Sequence, residues 1–441
     1  MERLVEQPGP QVVTLANRVV ASTVSHRGRW YVLFVMTVVY TINIADRYVV
    51  STLIEPIKRD LLLSDAAVGF LTGVALAIFY VSAGIPLGVL ADRVNRRNLI
   101  AISVAAWSVM TSLCGLAQNF WQLLLARMGV GIGEAGGTPP SQSIIADRFP
   151  PRLRAAAMTL FAVGASVGAL MGSSFGGWLS DHFGWRGALV VFGLVGLPVA
   201  LLVRFTMREP IRGQLDAHPA NQTTLVQTLK FMRSQKALLH LLAGGTVITY
   251  WGWGTVWWTP SFLVRSHDLT VGQAGALLGP MHGIGGTAVT LLTAWVMKRA
   301  SKDVRHQTWF ISATVLLATV PSTLAYIAPS LATATFMLWI FVPITYLYIG
   351  PSFGLIQNLV PASMRAQTNA VYLFVANFAN LVIAPQLLGF ASDLVAPHLA
   401  DPQESLRYVL AANTVTGLWA AWHYLVAAKE LRQNLQRAGT A

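Results

Sequence analysis

The sequence predicts an all-α membrane protein with twelve transmembrane helices in two six-helix bundles. Of its 441 residues, 54% are hydrophobic and only 11% are charged, whereas soluble domains carry about 25% charged residues. Twelve apolar runs of roughly 19–27 residues are each long enough to cross a hydrocarbon layer of about 30 Å. Because lipid offers the backbone no hydrogen-bond partners and no alternating barrel pattern is present, we expect these runs to be helices.

A polar stretch separates the runs into two groups of six. From about Phe205 to Ala237 the chain holds five basic residues, two prolines and no long apolar run. The predicted organisation is a tail at 1–29, a first bundle at 30–206, a linker at 207–237, a second bundle at 238–427 and a tail at 428–441. In order, the runs lie at 30–51, 67–90, 98–117, 121–145, 155–179, 187–206, 238–263, 272–296, 307–327, 332–358, 366–392 and 406–427.

The distribution of basic residues predicts the orientation in the membrane. With the N-terminus in the cytoplasm, 24 of the 31 Lys and Arg residues fall in cytoplasmic segments and 5 in external ones, and the other two are Arg47 and Arg127. This bias follows the positive-inside rule and predicts that both termini are cytoplasmic. The net charge of +13 therefore reports topology, and we expect no nucleic-acid partner. The expected location is the cell membrane, in particular a bacterial inner membrane.

The motifs do not predict catalysis. The sequence has no G-x-x-x-x-G-K-[ST] loop, so we do not expect ATP to drive the protein directly. Residues 164–168 match the hydrolase pattern G-x-S-x-G, but that motif needs a strand, a turn and a helix, and here it lies within a predicted helix. The single cysteine, Cys114, excludes an intrachain disulfide and a Cys-rich metal site. We expect no enzyme activity, no metal and no cofactor other than a proton gradient.

The two halves show weak internal repeats. P-P-R-L-R-A at 150–155 is echoed by P-A-S-M-R-A at 361–366, and G-W-L-S-D at 177–181 is echoed by G-F-A-S-D at 389–393. The two matches occur in the same order and at nearly one offset, which favours duplication of a six-helix unit. Such repeats are typical of secondary transporters, whose sites lie where the repeats meet.

Four charged residues within the apolar runs indicate a functional site. Asp46 and Arg47 lie in the first run, and Arg127 and Glu134 lie in the fourth. Ionisable residues at membrane depth are costly and mark substrate or ion pathways. At about 1.5 Å per residue, two antiparallel helices bring both pairs to similar depth. A purely structural ion-pair network is the alternative, and it is disfavoured because buried ion pairs often add little stability over apolar packing.

Two motifs carry a family resemblance. G-V-L-A-D-R-V-N-R-R at 88–97 resembles the G-x-x-x-D-R-x-G-R-R loop of the major facilitator superfamily, with Asn95 in place of glycine. Residues 127–133 resemble the R-x-x-x-G-x-G element of the same superfamily, and here they run on into Glu134-Ala135. Together with Asp46-Arg47-Tyr48, this pattern resembles the spinster family. The resemblance implies the major facilitator fold, export of lysolipids or sphingosine phosphates, and proton coupling.

These observations predict roles for named residues. Asp46 and Glu134 are the candidate proton carriers. The candidate substrate-binding residues combine the buried cations with polar and aromatic side chains of both halves; they are Arg47, Arg127, Asn43, Trp251, His282, Asn358 and Asn377. The candidate cytoplasmic gate follows the basic loop motif; its residues are Asp92, Arg93, Arg96, Arg97, Asp147 and Arg154.

The predicted function is secondary active transport by alternating access, with proton-coupled export of an amphiphilic anionic or zwitterionic, lipid-like substrate. One alternative is proton-coupled uptake of a small organic anion such as a sugar acid. Another, from a different class, is a membrane sensor or scaffold that transports nothing. We expect small-molecule or lipid-like substrates, protons and membrane lipids as partners, and a monomeric protein.

The first prediction concerns Asp92. If this carboxylate helps to close the cytoplasmic side, Asp92→Asn should shift the population away from outward-facing states. Accessibility labelling of cysteines placed on both sides of the membrane measures that shift. Unchanged labelling in the variant would contradict a gating role.

Overall fold

The computed structural model describes residues 26–212, 223–300, 304–361 and 364–439, and every regular element in these ranges is a helix. The helices form twelve consecutive passes, α1 to α12. The first half contains α1 (His26–Thr52), α2 (65–93), α3 (Arg96–Cys114), α4 (120–148), α5 (151–183) and α6 (185–206). The second half contains α7 (236–266), α8 (271–300), α9 (Val304–Ile327), α10 (331–359), α11 (365–395) and α12 (405–439). Two shorter helices, Ile54–Leu61 and Leu225–Ser234, lie between passes.

Each half has its own hydrophobic core. The first core is built from side chains between Val32 and Met207. The second is built from side chains between Met232 and Ala427, and it also takes in Ile54 and Val68 of the first half. The halves are thus packed internally as separate bundles that share apolar contacts at one end.

Two helix crossings hold the halves together, α2 with α11 and α5 with α8. At each crossing a glycine, which has no side chain, lets the two helices approach closely. Its backbone then contacts the backbone or a short side chain of the other helix. A Cβ added to Gly73 of α2 would strike the carbonyl oxygen of Leu381, and one added to Gly279 of α8 would strike Ser174. Small residues are what close helix packing in membranes requires.

All four crossing helices contain a π-helical turn. Such turns are rare and often mark functional sites, because the extra residue disturbs the regular hydrogen-bond ladder. In α2, α5, α8 and α11 the turn lies close to the contact between the halves, and α7 carries one as well. The turns are Phe70–Val74, Met171–Phe175, Thr249–Trp253, Met281–Gly285 and Ala379–Ile383.

The halves separate toward the face at which α1 begins and α12 ends, which we call the inner face; the opposite face is the outer face. Side chains added at Gly84 or Gly88 of α2, or at Gly350 or Gly354 of α10, would meet no atom within 4 Å. The crossing contacts described above lie in the outer halves of the same bundles. The molecule is therefore closed at its outer face and open at its inner face.

Seven helical stretches in the described part of the chain are long and apolar enough to cross a membrane by length and composition alone. One of these stretches, Ala156–Thr206, covers both α5 and α6. Two features differ from a plain reading of the hydropathy pattern. The stretch predicted as a linker contains the helix Leu225–Ser234, and α12 continues to Gly439, well into the predicted tail.

The packing of α3 against α6 generates a stability prediction. A Cβ on Gly193 would strike Ser112 and the carbonyl oxygen of Ser108, so Gly193→Ala should destabilise the protein by about 1–3 kcal/mol, as overpacking does. Thermal unfolding in detergent measures the change. Gly84→Ala is the matched control: it adds the same methyl group in open space and should leave the melting temperature unchanged or slightly higher, since alanine favours helix.

Candidate functional site

A buried ion pair between α1 and α4 forms the centre of the site. Nε and Nη2 of Arg47 donate to Oε2 of Glu134 at 2.8 and 2.7 Å. Glu134 is fully buried, whereas the Arg47 side chain keeps 14% of its exposure. Glu134 lies at the end of the helix Phe120–Ala135, directly before α4 is interrupted at Gly136 and Gly137. The break leaves the acid at a joint between two helical segments.

Arg47 and Asp46 point to different neighbours, as adjacent residues on a helix must. The guanidinium of Arg47 lies over the ring of Tyr80, 4.9 Å from its centroid. Asp46 turns toward α3 and accepts a hydrogen bond of 2.5 Å from the hydroxyl of Thr111. The charges of Glu134, Arg127 and Arg47 all act on the Asp46 carboxylate. The structure thus brings the four predicted residues together in one electrostatic cluster.

Several polar atoms of this cluster have no hydrogen-bond partner in the protein although they are buried. They are Arg127 Nε and Nη2 and Glu134 Oε1; Nδ2 of Asn43, about one turn before Asp46 and Arg47 on α1, is also buried without a partner. Unsatisfied buried polar groups are rare and costly, and for a charged group the cost is larger still. Arg127 borders a small cavity whose other lining residues, apart from Thr72, are apolar. The site therefore has unused capacity to bind a proton, an anion or water.

An aromatic layer joins this site to the second half. The ring of Tyr48, next to Arg47 in the chain, lies 4.9 Å from His282, 6.3 Å from Trp257 and 6.5 Å from Trp253. His282 is buried, and its Nδ1 is 3.0 Å from the hydroxyl of Tyr346. Sequence reasoning singled out His282 but missed Tyr346, for which no local signal exists.

The other predicted residues of the second half lie elsewhere. Trp251 is buried in the second core and packs on Phe341 at 5.3 Å, and the tryptophans that face Tyr48 are Trp253 and Trp257. Asn358 is exposed near the inner end of α10, and Asn377 is partly buried in α11. Among the described residues, no hydrogen bond joins either asparagine to the charged cluster. Their part in substrate binding stays a prediction.

At the inner face, Arg96 is the centre of a polar network. It is 2% exposed and donates to Asp147 at 2.6 Å, to Ser143 at 2.7 Å and to Glu209 at 2.7 Å. The backbone nitrogen of Arg97 donates to the other oxygen of Glu209 at 2.9 Å. These partners all belong to the first half and the stretch directly after it. Glu209 was missed by sequence reasoning, although it is a lone acid among basic residues.

The remaining gate candidates are less connected. Arg154 donates to the carbonyl oxygens of Ala146 and Phe149 at 2.9 and 3.0 Å, which fixes the turn between α4 and α5. Arg93 is exposed at the end of α2. The side chain of Asp92 lies outside the described residues. In this open arrangement the described hydrogen bonds of the candidate gate stay within the first half and the stretch directly after it, and its gating role stays a prediction.

The outer face is closed by a second charged cluster that sequence reasoning did not find. Arg265, at the end of α7, makes two hydrogen bonds to Asp65 at 2.6 and 2.7 Å and one to Glu55 at 2.8 Å. All three residues are less than 9% exposed. Lys58 also contacts Asp65 at 2.5 Å. The cluster joins the first half to the second through charges that are removed from water.

Two equivalent aspartates strengthen this closure. Asp393, at the end of α11, accepts hydrogen bonds from the backbone nitrogens of Asp65 and Ala66 at 2.9 and 2.7 Å, and so caps the start of α2. Asp181, at the end of α5, accepts a hydrogen bond of 2.6 Å from Thr270, the N-cap of α8. These are the last residues of the repeated G-x-x-S-D segments, so the repeat marks an outer contact that occurs twice.

Comparisons with known proteins agree with this architecture. Residues 36–384 match the family profile described as Major Facilitator Superfamily. An "MFS-type efflux pump" of Mycolicibacterium smegmatis is 31% identical over 93% of this chain and 96% of its own. "Protein spinster homolog 1" of Xenopus tropicalis is 25% identical over 94% of this chain and 83% of its own. The "Probable L-galactonate transporter" of Escherichia coli is 25% identical over 80% of each chain.

One solved structure is similar over nearly its whole length. It is described as a bacterial homologue of the human lysosomal transporter Spinster in an inward-facing and unoccupied conformation. It has a TM-score of 0.82 and 29% sequence identity, and the match covers 93% of this chain and 98% of that one.

The outer cluster generates a prediction. Arg265→Gln leaves two buried carboxylates without their main counter-charge, which should cost the outer-closed state about 3–5 kcal/mol. In a Cys114→Ala background, Thr72→Cys places a thiol on the inner side of the cluster. When Arg265→Gln is added, this thiol should react far faster with a membrane-impermeant thiol reagent supplied at the outer face. Arg186→Gln is the matched control, since its ion pair with Asp60 is 40% exposed and exposed pairs contribute little. Equal labelling in both variants would show that the cluster does not hold the outer face closed.

Proposed function

Because this chain belongs to the Major Facilitator Superfamily and is spinster-like, we propose that it is a proton-coupled exporter of amphiphilic anionic or zwitterionic, lipid-like molecules. Transport across a membrane follows from the family. The substrate class, the export direction and the proton coupling are our proposal.

The observation that carries the proposal is the Arg47–Glu134 pair together with its unsatisfied neighbours. Arg47 uses both of its bonding nitrogens on one oxygen of Glu134, and the other oxygen of Glu134 has no partner. A proton on that acid removes the negative charge that holds Arg47. The guanidinium, whose planar fork suits phosphate and carboxylate groups, is then free to bind an anionic headgroup.

The charge balance gives the coupling its direction. Asp46, Arg47, Arg127 and Glu134 sum to zero when all are ionised, so protonation of either acid leaves a net charge of +1. This excess favours an anion in the same site. When the proton leaves, the excess is lost and the anion is released, so the proton and the anion cross the membrane in the same direction. Export by this cycle therefore runs with an outward-directed proton gradient, whereas an inward-directed gradient drives uptake. Asp46 and Glu134 are the two acids of this site and are proposed as its proton carriers.

The surroundings favour an amphiphile over a small, fully polar ligand. The ring of Tyr80 lies under the guanidinium of Arg47, and Tyr48, next to Arg47 in the chain, packs with Trp253 and Trp257 of the second half. Such rings present both an apolar face and polar atoms. With the predicted orientation, the open inner face admits a substrate from the cytoplasm. The alternation would then consist of closing this face and breaking the outer Arg265 cluster.

A second candidate is proton-coupled uptake of a small organic anion such as a sugar acid. The similarity to a protein described as a probable L-galactonate transporter favours it, and the same cationic excess at Arg47 and Arg127 would bind a carboxylate. The two candidates differ in what the aromatic layer does. An exporter of lipid-like molecules uses it to hold an acyl or sphingoid chain.

The decisive experiment is flux in liposomes under an imposed proton gradient, with a fluorescent lysophospholipid and a labelled sugar acid compared side by side. Glu134→Gln and Asp46→Asn should each abolish the flux driven by the proton gradient, because an amide side chain cannot take up a proton as a carboxylate does. Asp60→Asn, at an exposed acid outside the site, is the matched control and should transport normally. Wild-type flux in both site variants would refute the proton assignment.

Arg127 provides the separate test of substrate binding. Arg127→Ala removes one charge-assisted partner worth about 1.5–3 kcal/mol, which is a roughly 10- to 100-fold loss of affinity for an anionic headgroup. Equilibrium binding of the lysophospholipid to the purified protein measures it. Unchanged affinity would remove Arg127 from the binding site, and binding of the sugar acid alone would favour the second candidate.

A further inference from the structure

The helix Leu225–Ser234 is attached to the second half by one face only. Thr228 and Met232 are buried against that half, at 0% and 5% exposure. The hydroxyl of Thr228 donates to Gln367 at 2.5 Å, and the amide nitrogen of Gln367 donates to the backbone of Thr223 at 2.6 Å. A capping box at Thr224 and Gln227 begins the helix. This helix is therefore an ordered element and is fixed to the start of α11.

The other face of this helix is apolar and basic. Leu225, Val226 and Leu229 are 51%, 74% and 40% exposed. Their spacing puts them on one side of the helix. Arg233 lies on the same side, about one turn after Leu229, and Lys230 lies at its edge beside Val226; both basic residues are exposed. The helix contains no acidic residue. An apolar stripe bordered by basic residues is the pattern of helices that lie in a membrane interface.

The position of the helix fits that environment. It ends at Ser234, and α7 begins at Lys236, so the helix lies where the chain enters the first pass of the second half. It belongs to the inner face, where the positive-inside rule predicts the cytoplasmic leaflet. Anionic lipid headgroups in that leaflet attract basic residues close to the surface.

We propose that the exposed face of Leu225–Ser234 binds the cytoplasmic leaflet, with Leu225, Val226 and Leu229 in the acyl boundary and Lys230 and Arg233 on anionic phospholipid headgroups. Through the Thr228–Gln367 contact, this binding fixes the inner end of α11 relative to the membrane surface. The bilayer then holds the second half in place while the first half moves. The proposal does not depend on which substrate is transported.

The test places a probe on each side of the helix in the full-length protein. In a Cys114→Ala background, Leu225→Cys carries an environment-sensitive dye, and Ser234→Cys, nine residues further and so on the opposite side of the helix, is the matched control. Both proteins are placed in nanodiscs of phosphatidylcholine alone or mixed with phosphatidylglycerol, with a headgroup-level nitroxide lipid as quencher. The dye at position 225 should be quenched by the lipid label, and more strongly with phosphatidylglycerol. The dye at position 234 should instead be quenched by aqueous iodide.

Charge-removing variants separate the headgroup contact from simple insertion. Phosphatidylglycerol should increase the quenching of the dye by the nitroxide lipid. Lys230→Gln and Arg233→Gln should each lower this increase by roughly fivefold, as expected for one basic residue at an anionic surface. Both residues are exposed, so melting temperatures should not change. Equal quenching in the two lipid mixtures would overturn the anionic-lipid assignment. A dye at position 225 that only iodide reaches, or that is shielded only when a soluble protein fraction is added, would overturn membrane binding.

Discussion

The conformation of this protein depends on a group of charges taken out of water at its outer face. Arg265 of the second half is held by Asp65 and Glu55 of the first, and all three are buried. A buried ion pair that loses one partner is strongly unfavourable, so partial separation of the halves is costly. The cluster is either complete or opened to water. An interface with only these two favourable arrangements behaves as a switch and does not deform gradually.

The removal of charged groups from water also governs the site between α1 and α4. Glu134 is fully buried and satisfied on one oxygen only, and Arg127 has two nitrogens without partners. In a low-dielectric environment water does not screen the charges of such groups. The arrival of a proton or an anion therefore changes the interactions among them strongly. Tyr48, the residue after Arg47 on α1, packs on Trp257 of α7 and on His282 of α8. The helix that carries the first half's buried charges is thus also one that contacts the second half.

At the inner face the halves are apart, and each needs its own bracing. The Arg96 network with Asp147 and Glu209 ties α3, α4 and the end of α6 into one unit, which keeps the first half rigid without help from the second. The second half has a different support, the helix Leu225–Ser234 attached to Gln367. Rigid halves with closely packed glycines at their crossings, such as Gly73 and Gly279, are suited to rocking about the contact as whole bodies.

The sequence by itself determined the all-helical fold, the family and the four charged residues at membrane depth, because hydropathy, helix length and short motifs are properties of local stretches. It also pointed to the two G-x-x-S-D repeats, but it did not say what Asp181 and Asp393 bind. Only the tertiary structure decided that Glu134, and not Asp46, pairs with Arg47, that Trp253 faces Tyr48 in place of Trp251, and that Arg265 and Asp65 close the outer face. These choices depend on how helices far apart in the chain are placed beside one another. A hydrogen bond between two helices is lost when one of them shifts by about 1 Å or turns about its axis by one residue position. No local sequence pattern specifies the placement of helices that finely.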